Sequence, residues 1–198
     1  MLEVMRVYVR WVDAFNRRLG RLIMYGIFVM AGILLWSSIS KTFFLPSIWT
    51  LEVAQFAMVA YYILGGPYSI QLGSNVRMDL FYASWSLKKR AWVDAFTVLL
   101  LMFFLGVLLY GGVGSTAYSL GHFGDEPFTF LKDIVVAFLT GGPDAASEKL
   151  GYIERSPTAW RPYLWPVKLI MISGFLLMLL QALSELFKDI ARIRGEEF

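Results

Sequence analysis

The sequence predicts an all-α integral membrane protein with four transmembrane helices, an N-terminal amphipathic helix, other interfacial helices, and both ends on the cytoplasmic side. Three observations predict it. Of 198 residues, 58% are hydrophobic and only 17% charged, a balance more apolar than a soluble domain of this length carries. Four long apolar runs occur, at 22–39, 51–72, 95–118 and 164–187. Finally, the basic residues flank these runs instead of forming one continuous face, so they read as topology signals and not as a nucleic-acid surface.

Residues 1–19 place Met1, Val4, Met5, Tyr8, Trp11, Val12, Phe15 and Leu19 at helical spacing, with Glu3, Arg6, Arg10, Asp13 and Arg17 opposite. That is an interfacial amphipathic helix, serving as a membrane-surface anchor or as a docking face for a partner. The run 22–39 has no charge and covers roughly 27 Å at 1.5 Å per residue, about one hydrocarbon core. It continues into Ser40, Lys41 and Thr42 with no small-residue cleavage site, so an uncleaved anchor is expected.

The run 51–72 has one charge, Glu52 in its first turn, and contains Gly65, Gly66 and Pro67, which predict a kink towards its cytoplasmic end. A second short interfacial helix is expected over 84–94, with Trp85 and Trp92 beside Lys88, Lys89 and Arg90. The run 95–118 is dense in Leu and Phe before turning small and polar at Gly111, Gly112, Gly114 and Ser115. The last run, 164–187, has Lys168 near its start and Glu185 near its end, both able to snorkel to an interface.

Between the last two runs, the loop 119–163, periplasmic on this topology, holds a patch at 128–139 with Lys132 and Asp133 inside it. That patch is too short and too charged to span. Pro127 can start a helix there, and Gly141, Gly142 and Pro143 stop it. With the N-terminus inside, 12 of the 18 Lys and Arg residues fall on the cytoplasmic side and 6 on the other.

Several chemistries are excluded or disfavoured. Cysteine is absent and His122 is the only histidine, so thiolate sites, iron–sulfur clusters, bis-histidine haem and His-based zinc lack ligands, and no cofactor is expected. His122 and Asp125 sit in the long loop without a nucleophile at a recognisable spacing, and His122 is read as an exposed loop residue. No Gly-rich phosphate loop followed by Lys-Ser or Lys-Thr occurs. None of the four runs has a charge near its middle, and only the second has a break signal, so a complete transporter in this chain alone is not expected. Glu52 is read as a first-turn carboxylate beside unsatisfied backbone donors, with ion binding as the alternative.

Three stretches carry a resemblance. Trp49-Thr50-Leu51-Glu52 opens the second run with an aromatic and then an acid. Gly73-Ser74-Asn75-Val76-Arg77-Met78-Asp79 lies at its exit. Ser156 to Lys168, including Trp160, Arg161 and Trp165, leads into the last run. Together with four spans these resemble the small, DctQ-type membrane subunit of tripartite ATP-independent periplasmic (TRAP) transporters. Asn75 stands where His is common in that family's H-[IV]-R-[VIM]-D signature, so a role for an imidazole does not carry over.

The resemblance implies a non-catalytic partner of a large membrane subunit and a periplasmic substrate-binding protein, in sodium-coupled uptake of an organic anion across a bacterial inner membrane. The substrate and sodium sites would lie in the large subunit. Trp49, Glu52, Arg77, Asp79, Trp160, Arg161, Trp165 and Lys168 become candidates for subunit contact or structure, with lipid as the other partner. Arg77 has a plainer reading as a positive-inside arginine. The rival functions are a membrane anchor of a redox or enzyme complex and a stand-alone channel or exporter.

Overall fold

The computed structural model describes residues 2–73 and 85–195. Six helices occur among them: α1 (Leu2–Ile23), α2 (Gly26–Phe43), α3 (Thr50–Leu72), α4 (Leu87–Ser119), α5 (Pro127–Ser147) and α6 (Trp165–Arg194). Three segments are long and apolar enough to cross a membrane: Glu3–Phe43, Lys88–Ser119 and Trp165–Arg194. The first is 41 residues, about 60 Å if straight and twice a hydrocarbon core, but a turn at Met24 and Tyr25 divides it. Its charged half is α1, and α2 carries a single charge, Lys41 in its last turn. The 23-residue α3 is long enough to cross and is not one of the three. Glu52, Gln55, Gly65, Gly66, Pro67 and Gln71 dilute its apolar content.

The helix α6 is central, packing on α4 and α3, and on α1 near its end. Contacts fix the directions. Ser37 meets Thr50, and Gly26 faces Tyr61, so α2 and α3 run antiparallel. Ile63 lies against Gly174 and Gly66 against Met178, so α3 and α6 run parallel. Ser115 meets Lys168 and Gly112 faces Ile172, so α4 opposes α6. The bundle therefore has a loop end, where α2 and α4 finish and α3 and α6 begin, and a terminal end, where α3 and α6 finish beside α1.

Lipid cannot drive helices together by the hydrophobic effect, so close packing has to do it. Small residues permit this: a methyl group added at Gly174 would overlap Ile63, and one at Gly66 would sit 2.6 Å from the Met178 sulfur. Leu105, Phe175 and Ala182 form the buried centre, with Ile63, Leu101, Met171 and Met178 around it. The outward surfaces are equally apolar. Phe28 is 71% exposed on α2 and Phe103 74% exposed on α4, areas that water would not tolerate but hydrocarbon does. Helical hydroxyls on these faces satisfy themselves on the preceding turn, as Thr97 does on the Val93 carbonyl and Ser38 on that of Leu34. The chain is an all-α, multi-span membrane bundle.

Some local expectations change. The separate short helix expected over 84–94 is absent among the described residues, because Leu87–Ser119 is one 33-residue helix of about 50 Å. Its first turns exceed a hydrocarbon core and carry Lys88, Lys89 and Arg90. The helix α3 continues through Pro67, which is buried. Pro127 does open α5, but Gly142 (φ 78°, ψ −168°) breaks that helix without ending it, and a further turn runs to Ser147.

Candidate functional site

At the loop end, the 148–164 segment straps α3, α4 and α6 together. Glu52, in the first turn of α3, is 3% exposed, and its Oε1 accepts a hydrogen bond from the Ser156 hydroxyl at 3.1 Å. Its Oε2 is buried and has no partner among the described residues. The carboxylate keeps the favourable position near the positive helix end, but its working contact is with the strap, 104 residues along the chain. Beside it, Ser37, Ser40, Ser47 and Thr50 are linked by hydroxyl contacts of 3.0–3.1 Å that join the end of α2 to the start of α3.

Lys168 lies in the first turn of α6, where a cation opposes the helix dipole. Two acceptors offset this. Its Nζ donates to the Ser115 carbonyl at 3.1 Å, near the end of α4 where the helix dipole favours a cation, and to Glu154 Oε2 at 2.6 Å. The lysine thus folds inward between helix ends, with its side chain 17% exposed. Backbone bonds complete the strap: Glu154 N–H to the Ser119 carbonyl and Gly151 N–H to that of Leu120. Gly121 and Gly151 approach so closely that a Cβ on either would strike the other's backbone.

Trp49, at the N-cap position of α3, is 37% exposed and supplies no side-chain cap. Trp165 is half-buried as the first residue of α6, and Trp160 and Arg161 are exposed on the strap. The structure therefore gathers Trp49, Glu52, Trp160, Arg161, Trp165 and Lys168 at one end. Arg77 and Asp79 lie outside the described residues.

The terminal end carries a denser network that the sequence reading missed. Asp13 Oδ1 accepts from Gln181 Nε2 and from the Ser184 hydroxyl, each at 2.9 Å, and its Oδ2 pairs with Lys188 at 2.7 Å. Asn16 Nδ2 donates to Gln181 Oε1 at 2.7 Å, and Glu185 accepts from both Gln181 and Lys188. Gln181 and Ser184 are fully enclosed and Asn16 nearly so. Tyr8 donates to the Leu180 carbonyl at 3.0 Å, and Gln71 to the Asp13 carbonyl at 3.2 Å.

Tyr8 and Asn16 are about 12 Å apart along α1, yet their partners are neighbouring residues, so α1 crosses α6 steeply. Asp13 therefore faces the bundle and not the solvent side on which its spacing had placed it. Glu185, expected at an interface, is drawn into this clasp. The available signal was the polar stripe Gln181, Ser184, Glu185 and Lys188, spaced for one helix face, with Asp13 and Asn16 three apart on α1.

His122 is not the exposed loop residue expected. It is half-buried, stacks on Phe130 of α5 at 4.4 Å between ring centres, and has a buried Nε2 without a partner among the described residues. No group of three His, Cys, Asp or Glu among the described residues is placed to hold a metal ion. The polar groups that cluster do so between helices and along the strap, where they fix positions.

A scan of protein families matches residues 30–142 to the tripartite ATP-independent periplasmic transporters, DctQ component. The matched stretch begins inside α2, takes in α3 and α4, and stops at the Gly142 break in α5. Searches of curated proteins and of solved structures find no match. The match covers more than half of the sequence, and the multi-span helical bundle agrees with the resemblance already carried by Trp49, Glu52 and the approach to the last helix. The chain belongs to the DctQ-component family of the tripartite ATP-independent periplasmic transporters.

Proposed function

We propose that the chain is the non-catalytic small permease subunit of a sodium-coupled TRAP carrier that takes up an organic anion. It braces the static part of a large, elevator-type membrane subunit and works with a periplasmic substrate-binding protein in a bacterial inner membrane. The family match is the observation that carries this reading. The distribution of polarity supports it. Polar clasps occupy the two ends of the bundle, while Leu105, Phe175 and their neighbours fill its centre, which suits a rigid brace and offers no ion path.

On this reading α3 is the fourth crossing: at 23 residues it covers about 35 Å and runs between the two ends antiparallel to α2. An even number of crossings leaves both termini on one side, and the 12-to-6 division of basic residues makes that side cytoplasmic. Arg77 and Asp79 then contact the large subunit or nearby helix ends at the cytoplasmic surface.

Reconstitution with the large subunit and binding protein tests the function. Sodium-driven uptake is expected to vanish when this chain is omitted, and its persistence would overturn the reading. Because the chain has no cysteine, single cysteines placed at 45, 124 and 190 test the topology with a membrane-impermeant label. Positions 45 and 124 should label from outside and 190 only after permeabilisation.

A further inference from the structure

The loop-end strap contains one feature that neither bundle packing nor bracing uses. Residues 156–162 form a small closed loop. Arg155 and Tyr163 pair as an antiparallel bridge, and the Ser156 N–H donates to the Pro162 carbonyl at 2.9 Å. The Arg155 guanidinium lies 4.4 Å from the centre of the Tyr163 ring and donates to its hydroxyl. Below this neck, Ser156 is bolted to Glu52 and Glu154 to Lys168. Above it, residues 157–161 are exposed.

At the tip, Arg161 has φ 51°, the one left-handed non-glycine residue among the described ones. The position is doubly unfavourable, because a β-carbon resists this region and the residue before a proline is normally driven to extended backbone. The bolted neck holds the strain in place. It presents an exposed arginine beside Trp160, which is 39% exposed. The acid within the strap, Glu154, is taken by Lys168, and Arg161 has no acidic partner among the described residues.

Trp and Arg dominate protein contacts when a rigid frame presents them, since a preformed tip loses little freedom on binding. A lipid surface accepts the same side chains but has no use for a fixed, strained backbone. We propose that the Trp160–Arg161 tip is a preformed docking point for an acidic patch on a soluble protein. On the transporter reading given above, on which this rests, that protein is the substrate-binding protein.

The test uses the reconstituted complex of this chain, the large subunit and the binding protein. Arg161→Glu is expected to raise the binding-protein concentration giving half-maximal uptake by roughly tenfold, with uptake at saturation and co-purification with the large subunit retained. Arg161→Gly, which relieves the backbone, should give a smaller rise. It should also flatten the dependence of half-saturation on added choline chloride at constant sodium. A photoreactive residue at position 160 in the otherwise unaltered chain should form an adduct with the binding protein.

Unchanged half-saturation in both variants overturns the proposal, and so does an adduct confined to lipid or to the large subunit. If Arg161→Glu prevents assembly, the adduct at 160 decides the matter. Uptake that proceeds equally well without this chain would instead sink the transporter reading.

Discussion

The two ends of the bundle are both held by hydrogen-bonded polar groups, yet they hold different things. At the terminal end the network lies between helices: Gln181, Ser184 and Asn16 are sealed, and the bonds of the Asp13 and Asn16 side chains join α1 to α6. At the loop end the groups hold a strap whose outer part stays exposed. The first arrangement fixes the fold and the second presents a surface. Substitutions should therefore act globally at one end and locally at the other.

The largest effect is expected for Lys188→Met. It leaves Asp13 and Glu185 side by side without their shared cation, and partial burial of all three makes that worth about 2–4 kcal/mol, read as thermal unfolding in detergent. Gln181→Leu should follow at about 1–2 kcal/mol. It removes the side-chain partner of Asn16 and one of the donors to Asp13, which keeps Ser184 and Lys188, and hydrogen bonds between membrane helices are individually modest.

At the loop end, Lys168→Met should cost only about 1 kcal/mol, since Glu154 is a third exposed and can be rehydrated, but should speed protease cleavage within 148–164. Glu52→Gln should change global stability least, by under about 0.5 kcal/mol, because an amide oxygen still accepts from Ser156 and the amide nitrogen replaces a buried oxygen that has no partner. A Glu52→Gln chain that unfolds like Lys188→Met would erase the distinction between the two ends.

The helices were legible because their signal is local. Most of the charge-free run 22–39 forms α2, which starts at Gly26 after the turn at Met24 and Tyr25, and Pro127 marks the start of α5 as its missing N–H predicts. The clasps were less legible because they join distant residues: nothing near Asn16 says that its partner is 165 positions away. Spacing also merged two faces of α1. Tyr8, Val12 and Leu19 turn towards the bundle together with Val9, while Val4, Trp11 and Phe15 stay exposed, because the bundle accepts only one edge of a broad apolar face. Glu52 and Lys168 were singled out by position in the sequence, but their shared attachment to the strap became visible only once α3, α4 and α6 were placed side by side.

The span between the partners of the terminal clasp has a consequence for biogenesis. Asn16 leaves the ribosome 165 residues ahead of its partner Gln181, and Asp13 leaves 171 residues ahead of Ser184. Until the final helix is inserted, the first helix carries an unmatched carboxylate and amide. A truncated product lacking that helix keeps them unmatched, which gives membrane quality control a physical mark by which an unfinished chain differs from a completed one.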